Sequence, residues 1–184
     1  MSAVPAEQAT PPNDAAPAAR VVFTEGSIGL PPGYEDRTTN VLVPANVQVQ
    51  PNLSVARDWM KPGETLPAYV DRQLALMKSQ LAGHHLLVRR PAGLGASDAQ
   101  TLLGECIDAR YRNGKLMIYQ RQAAFEASPG RVLVFSGARA HGFGEQFEQL
   151  WADWLASYRL PPSLPVATAP SADEGVPDTS TKSD

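Results

Sequence analysis

The sequence predicts an α+β fold, an antiparallel sheet with two amphipathic helices packed on it. Three observations carry that expectation. Strand-like segments come in runs instead of alternating with helices. Asn113-Gly114 separates two long alternating segments, and Asn-Gly is the strongest short hairpin signal. Helical period appears in two segments, one before and one after those strands.

Taken in order, Val21-Val22-Phe23 is a short β-type run stopped by Glu25-Gly26. Ile28-Gly29-Leu30 is another, closed by the turn signal Pro31-Pro32-Gly33. Residues 38–43 (TTNVLV) are rich in β-branched side chains and read as a strand ending at Pro44. Residues 53–59 alternate, with Leu53, Val55, Arg57 and Trp59 on one face and Ser54, Ala56 and Asp58 on the other. After the breaker Lys61-Pro62-Gly63, Leu66, Val70, Leu74, Met77 and Leu81 recur at helical spacing. This predicts a helix over 66–82, N-capped by Thr65, with Pro67 in its first turn and Gly83 as its C′ residue.

Residues 86–90 then read as a short strand before Pro91, and PAGLGASDA as a loop. Residues 101–111 and 115–125 are two longer strands around the Asn-Gly turn. Ser128-Pro129-Gly130 is a second turn, and 132–136 a third strand, so the three form an antiparallel meander. Phe143, Phe147, Leu150, Trp151, Trp154, Leu155 and Tyr158 share one face of a closing helix that ends near Pro161-Pro162. Two such helices could cover one sheet face and leave the other free for water or a partner.

The 184 residues suit one domain with extensions. Residues 1–19 and 161–184 hold nine of the 17 prolines and none of the 13 aromatics. Without aromatics they cannot bury enough apolar surface to offset ordering entropy, so both are expected to be disordered. The expected domain is 20–160. These end segments carry a net charge of −5, which leaves +2 for the rest of a chain whose total is −3. A near-neutral domain argues against nucleic-acid binding, which needs a clustered basic surface. No apolar run approaches the ~20 residues that span a bilayer. The first residues lack the basic and apolar regions of a secretory signal. A single cysteine, Cys106, fits a reducing compartment, so the expected location is the cytoplasm.

Catalytic motifs are scarce. His84-His85 sits at a helix–strand junction and His141 in a loop, and without further ligands all three read as surface histidines. Cys106 lies mid-strand and reads as a small buried hydrophobe, not a nucleophile. Gly93-Leu94-Gly95 is no phosphate loop, because no Gly-Lys-Ser/Thr follows. No cofactor or metal is expected, and a binding module is favoured over an enzyme.

The informative strand is 115–125. One face carries Leu116, Ile118, Gln120, Gln122 and Ala124, and the other Met117, Tyr119, Arg121, Ala123 and Phe125. Apolar groups interleaved with glutamine suit a surface that buries something and hydrogen-bonds to it, since an amide offers donor and acceptor without a charge to desolvate. The same residues also fit an ordinary exposed strand face.

The order of motifs resembles the DcrB-like families and, within them, the Eag chaperones of type VI secretion systems. The resemblance runs through Glu25-Gly26, 30–36 (LPPGYED), 39–42 (TNVL), 53–57 (LSVAR) and 62–66 (PGETL). It continues with Tyr69, Gln73, Leu74 and Leu81, then 118–122 (IYQRQ) and the Trp-rich closing helix, covering about 21–160. The resemblance implies a Mog1/PsbP-like curved antiparallel sheet and a cytoplasmic homodimer. It also implies a client, the N-terminal transmembrane segments of a PAAR-containing effector, often of the Rhs type, shielded before loading onto the secretion spike. DcrB relatives include envelope lipoproteins, but no lipobox is seen here, which favours the cytoplasmic branch. The resemblance assigns no role to the proline-rich ends.

Leu116, Ile118, Gln120 and Gln122 are therefore the expected client face, with Val41, Val43, Ser54 and Ala56 as candidates on neighbouring strands. The protein itself is not expected to enter the membrane. The alternative is a general interaction domain of the Mog1/PsbP type with a soluble partner. A third reading is an enzyme whose cleft only a structure would reveal.

Overall fold

The computed structural model describes residues 20–46, 50–95 and 101–159. The proline-rich ends expected to be disordered lie outside the described residues. A small hairpin comes first, β1 (Arg20–Phe23) with β2 (Gly26–Gly29). The main sheet is built from β3 (Thr39–Leu42), β4 (Asn52–Trp59), β5 (His85–Leu94), β6 (Leu102–Asn113), β7 (Leu116–Ser128) and β8 (Arg131–Arg139). Its order is β3-β4-β8-β7-β6-β5, open at both ends, and every neighbouring pair is antiparallel. The helices are α1 (Leu66–Gln80) and α2 (Glu145–Ala156). The expected α+β class and the meander β6-β7-β8 are both present.

Turn chemistry sets the register of the meander. Asn113 pairs with Leu116, so the β6–β7 turn residues are Gly114 and Lys115, one step past the Asn-Gly pair. Gly114 has φ +60 and no non-glycine residue among the described residues has positive φ, which defines a type II′ turn with glycine first. Between β7 and β8, Pro129-Gly130 fills a type II turn with Gly130 at φ +75.

Pro91 does not end its strand as expected. It pairs with Glu105 inside β5, which runs on to Leu94. β5 is the edge of the sheet, where the missing N–H can face the open side. Residues 96–99 of the expected loop lie outside the described residues.

Thr65 caps α1 as expected, its hydroxyl accepting from the Ala68 N–H at 3.4 Å. The helix closes at Leu81, and Gly83 at φ +65 belongs to the turn that follows, not to the C′ position. At its first turn Glu64 clamps Arg72 with two hydrogen bonds of 2.7 and 2.8 Å. That bond, with one from the Lys61 N–H, holds the Glu64 carboxyl down at about 2.

The two helices take opposite faces. Tyr69 and Val70 of α1 pack with Ile107, Ala124 and Val132. Phe147, Trp151 and Leu155 of α2 pack with Cys106, Ala123, Phe125 and Phe135. Ala123 and Ala124 are consecutive in β7, so their side chains point to opposite sides. Coverage of one face by both helices, expected as possible from the stripes alone, is thus corrected. Residues 123–125 are apolar at both parities, and each face there needs its own cover.

The α2 face is closed by an aromatic cluster and one ion network. Arg121 is 3% exposed and donates to both Asp108 oxygens at 2.7 and 2.8 Å. It also donates to both Glu148 oxygens at 2.6 and 2.8 Å, which ties α2 to β7. Its guanidinium lies 4.6 Å from the Phe143 ring centroid. Burial opposes the charge, but the bonds to the two carboxylates outweigh it and raise the Arg121 pKa.

Gly104 pairs with Phe125 where β6 and β7 approach closely. A Cβ there would collide with the Ala124 carbonyl oxygen and the Phe125 ring. Gly104→Ala is expected to destabilise the domain by about 1–3 kcal/mol, seen as a lower urea midpoint.

Candidate client-binding face

The side chains of Leu116, Ile118, Gln120, Gln122 and Ala124 all point to the α1 side of β7, because strand side chains alternate. The register extends that face into rows across the sheet. Val41, Ser54, Ser136, Gln122 and Ile107 form one row over β3, β4, β8, β7 and β6. The next row toward Leu116 holds Asn52, Ala138, Gln120 and Ala109. On the other side Thr39, Ala56, Val134 and Ala124 align.

Helix α1 covers one end of this face. Its N-terminal half seats Tyr69 and Val70 on Ala124, Ile107 and Val132. The Ala82 carbonyl after its C-terminus accepts from the Arg112 N–H at 2.8 Å. The helix therefore crosses from Asp58 of β4 and Val132 of β8 at its start toward Arg112 of β6 at its end, and the part of the face around Val41, Ser54 and Gln120 lies beside it. Gln122, Gln120 and Ile118 are half-buried, while Val41 and Leu116 are both 59% exposed. The side chains of Ser54, Ser136, Gln120 and Gln122 make no hydrogen bond among the described residues. The result is a strip of small, apolar and uncharged polar groups.

Two expectations need correction. β3 and β4 are not neighbours of β7, because β8 lies between them. Ser136 and Ala138 of β8 thus complete the strip, and sequence reading missed them. The Ser128-Pro129-Gly130 turn held the signal, since pairing Ser128 with Arg131 in a bulged hairpin sets Gln122 opposite Ser136. Val43 does not share the face. β3 ends at Leu42, and Val43 lines a cavity of about 150 Å³ with Leu42, Leu53 and Leu150. Leu150 belongs to α2, so that cavity sits at the opposite helix.

A second cavity, of about 260 Å³, lies between α1 and the strip and includes Gln122 and Ser136 in its lining. Charged groups around it are paired internally. Asp58 accepts from the Tyr69 hydroxyl at 2.9 Å and the Gln73 amide at 3.1 Å. Burial and that bond to Asp58 push the Tyr69 phenol well above its usual range. Glu105 is bonded to Arg89, which also reaches Asp71.

The remaining reactive groups are quiet. Burial pushes the Cys106 thiol up to about 11. It is expected to resist a thiol reagent at pH 8 in the folded chain and to react fully in denaturant. Burial, then the nearby His85 and Lys78, hold the His84 pKa below its ordinary value. Among the described residues no group of three or more His, Cys, Asp or Glu could hold a metal ion. Nor is any helix among them long and apolar enough to cross a membrane.

The open sheet, with a helix on each face and an uncharged strip beside one of them, is consistent with a Mog1/PsbP-like α+β domain. The profile of the DcrB family matches residues 25–157, and the chain belongs to that family. A crystal structure of PA94, a protein of unknown function from Pseudomonas aeruginosa, has the same fold at a TM-score of 0.65. The identity is 18%, with 79% of this chain and 98% of PA94 covered, so the likeness is one of fold. No curated protein matches the chain.

Proposed function

We propose that this protein is a non-enzymatic cytoplasmic chaperone of the Eag kind. Its client is the N-terminal transmembrane region of a PAAR-containing, Rhs-type type VI secretion effector, which it shields and helps to load onto the spike. The observation that carries this reading is the strip beside α1, where four uncharged polar side chains have no partner among the described residues. Apolar Val41, Ile118 and Leu116 flank them. From β3 to β7 the strip spans three strand spacings, about 14 Å, which admits one helix of ~10–12 Å diameter.

A membrane helix in water exposes a large apolar surface and aggregates. Its backbone is satisfied internally, so what it needs is apolar cover and partners for its few polar side chains. Glutamine and serine supply those partners without a charge that would need desolvation. A homodimer would place a second strip against the opposite side of the client. In this reading the protein neither inserts into the membrane nor binds nucleic acid.

Co-expression with the effector's N-terminal segment tests the proposal. The segment is expected to stay soluble and co-elute with a dimer of this chain. An effector that remains soluble and is secreted in the absence of the chain overturns it. Capture of a soluble partner and no effector selects the alternative, a general interaction domain.

A further inference from the structure

We propose that the cavity between α1 and the sheet is an anchor site for one uncharged aromatic side chain with a polar tip, donated by the bound client helix. This rests on the client-binding reading above. The cavity holds about 260 Å³, above the ~150 Å³ that accepts benzene in an apolar protein interior. Its apolar walls are Val70 and Met77 from α1 and Ile107, Ala124 and Val134 from the sheet.

The polar lining narrows the occupant. Asp58 is occupied by Tyr69 and Gln73, and Glu105 by Arg89, so neither carboxylate calls for a cation. Gln122 and Ser136 line the same cavity, face each other in register, and have side chains with no hydrogen bond among the described residues. Both also stand in the row that opens onto the strip. A purely aliphatic occupant would desolvate them without offering a partner. A phenol or indole buries its ring against the walls and presents one O–H or N–H to that pair. The Met77 thioether is a favourable neighbour for a ring edge.

The test uses the full chain with p-cresol and toluene as probes, which differ by one hydroxyl. Titration with p-cresol is expected to shift the methyl signals of Met77, Ala124 and Val134 saturably. Ser136→Ala should weaken p-cresol about threefold to tenfold, the worth of one hydrogen bond, and leave toluene unchanged or bound more tightly, because no hydroxyl is then desolvated without a partner. Ala124→Met fills the cavity and should remove both probes. Absent or scattered shifts, or equal loss of both probes in Ser136→Ala, overturn the anchor. Ala124 is buried, so circular dichroism checks the fold of Ala124→Met. If that variant does not fold, Ser136→Ala decides the matter alone. Binding of the effector's N-terminal segment, measured in parallel, separates the two levels. A segment that fails to bind the wild-type chain overturns the client reading. One that binds wild type and both variants equally overturns the anchor and leaves that reading standing.

Discussion

In a pull-down with the apolar N-terminal segment of the proposed effector, Gln120→Glu/Gln122→Glu is expected to lose at least about a hundredfold in affinity, roughly 3 kcal/mol. The two residues stand two apart on β7, in adjacent rows of the strip, and neither side chain has a partner among the described residues. In the free chain both are half-buried, and glutamate can keep its carboxylate in water. Fold and thermal midpoint should therefore hold, and circular dichroism checks this. A bound apolar helix would remove that water, and each buried unpaired charge then costs several kcal/mol. Wild-type affinity in the double variant removes both residues from the interface.

Arg121→Met is expected to lower the folding free energy by about 3–5 kcal/mol. The cost lies less in lost attraction than in what remains. Asp108 is 6% exposed and, among the described residues, keeps only the Arg90 side-chain bond of 3.0 Å. Helix α2 also loses its tie through Glu148, leaving its apolar packing and the Gly95 N–H bond to the Leu155 carbonyl to hold it. The thermal midpoint should fall on the order of 10 °C. An unchanged midpoint would show that those contacts suffice. Glu148 adds a pH signature. Its hydrogen bond to Arg121 holds its carboxyl below the usual range. Its contribution is thus present above about pH 4.3, the ordinary glutamate value, and is lost as pH falls through the depressed one. Glu148→Gln should remove that part of the acid-limb slope and lower stability at neutral pH without changing the slope there.

The class of fold and most strands are legible in the sequence because alternation and turn residues are local signals. The stripe on 66–82 says that a helix needs a sheet, but not which side of the sheet, and that is where the one-face expectation gave way. Residue pairs across the meander depend on the turn more finely. A turn centred on Asn113-Gly114 would set Asp108 opposite Tyr119. The observed Gly114-Lys115 turn moves the register by two and brings Asp108 opposite Arg121, which creates the ion network. Gln120, Gln122, Ser54 and Ala56 keep the side that alternation assigns to them. Val43 does not, because β3 ends one residue earlier and the chain leaves the sheet. Ser136 and Ala138 lie beside Gln122 and Gln120 through the β7–β8 hairpin that the turn announces, but the bulge after Glu126 that sets their pairing has no local signal.

The sheet order also says how the domain must be assembled. Arg57 pairs with Leu133, 76 positions later, and β8 is the strand that touches both β4 and β7. Before β8 exists the chain can form two separate pieces, β3-β4 and β5-β6-β7, with nothing in the ladder to join them. On a ribosome adding ~5–20 residues per second, β4 waits roughly 4–15 s for its partner. A chain cut before residue 131 is then not a smaller version of this fold but two unclosed fragments. The last strand made is the keystone, and joining the halves by so distant a pairing places folding toward the slow, high-contact-order end of small domains.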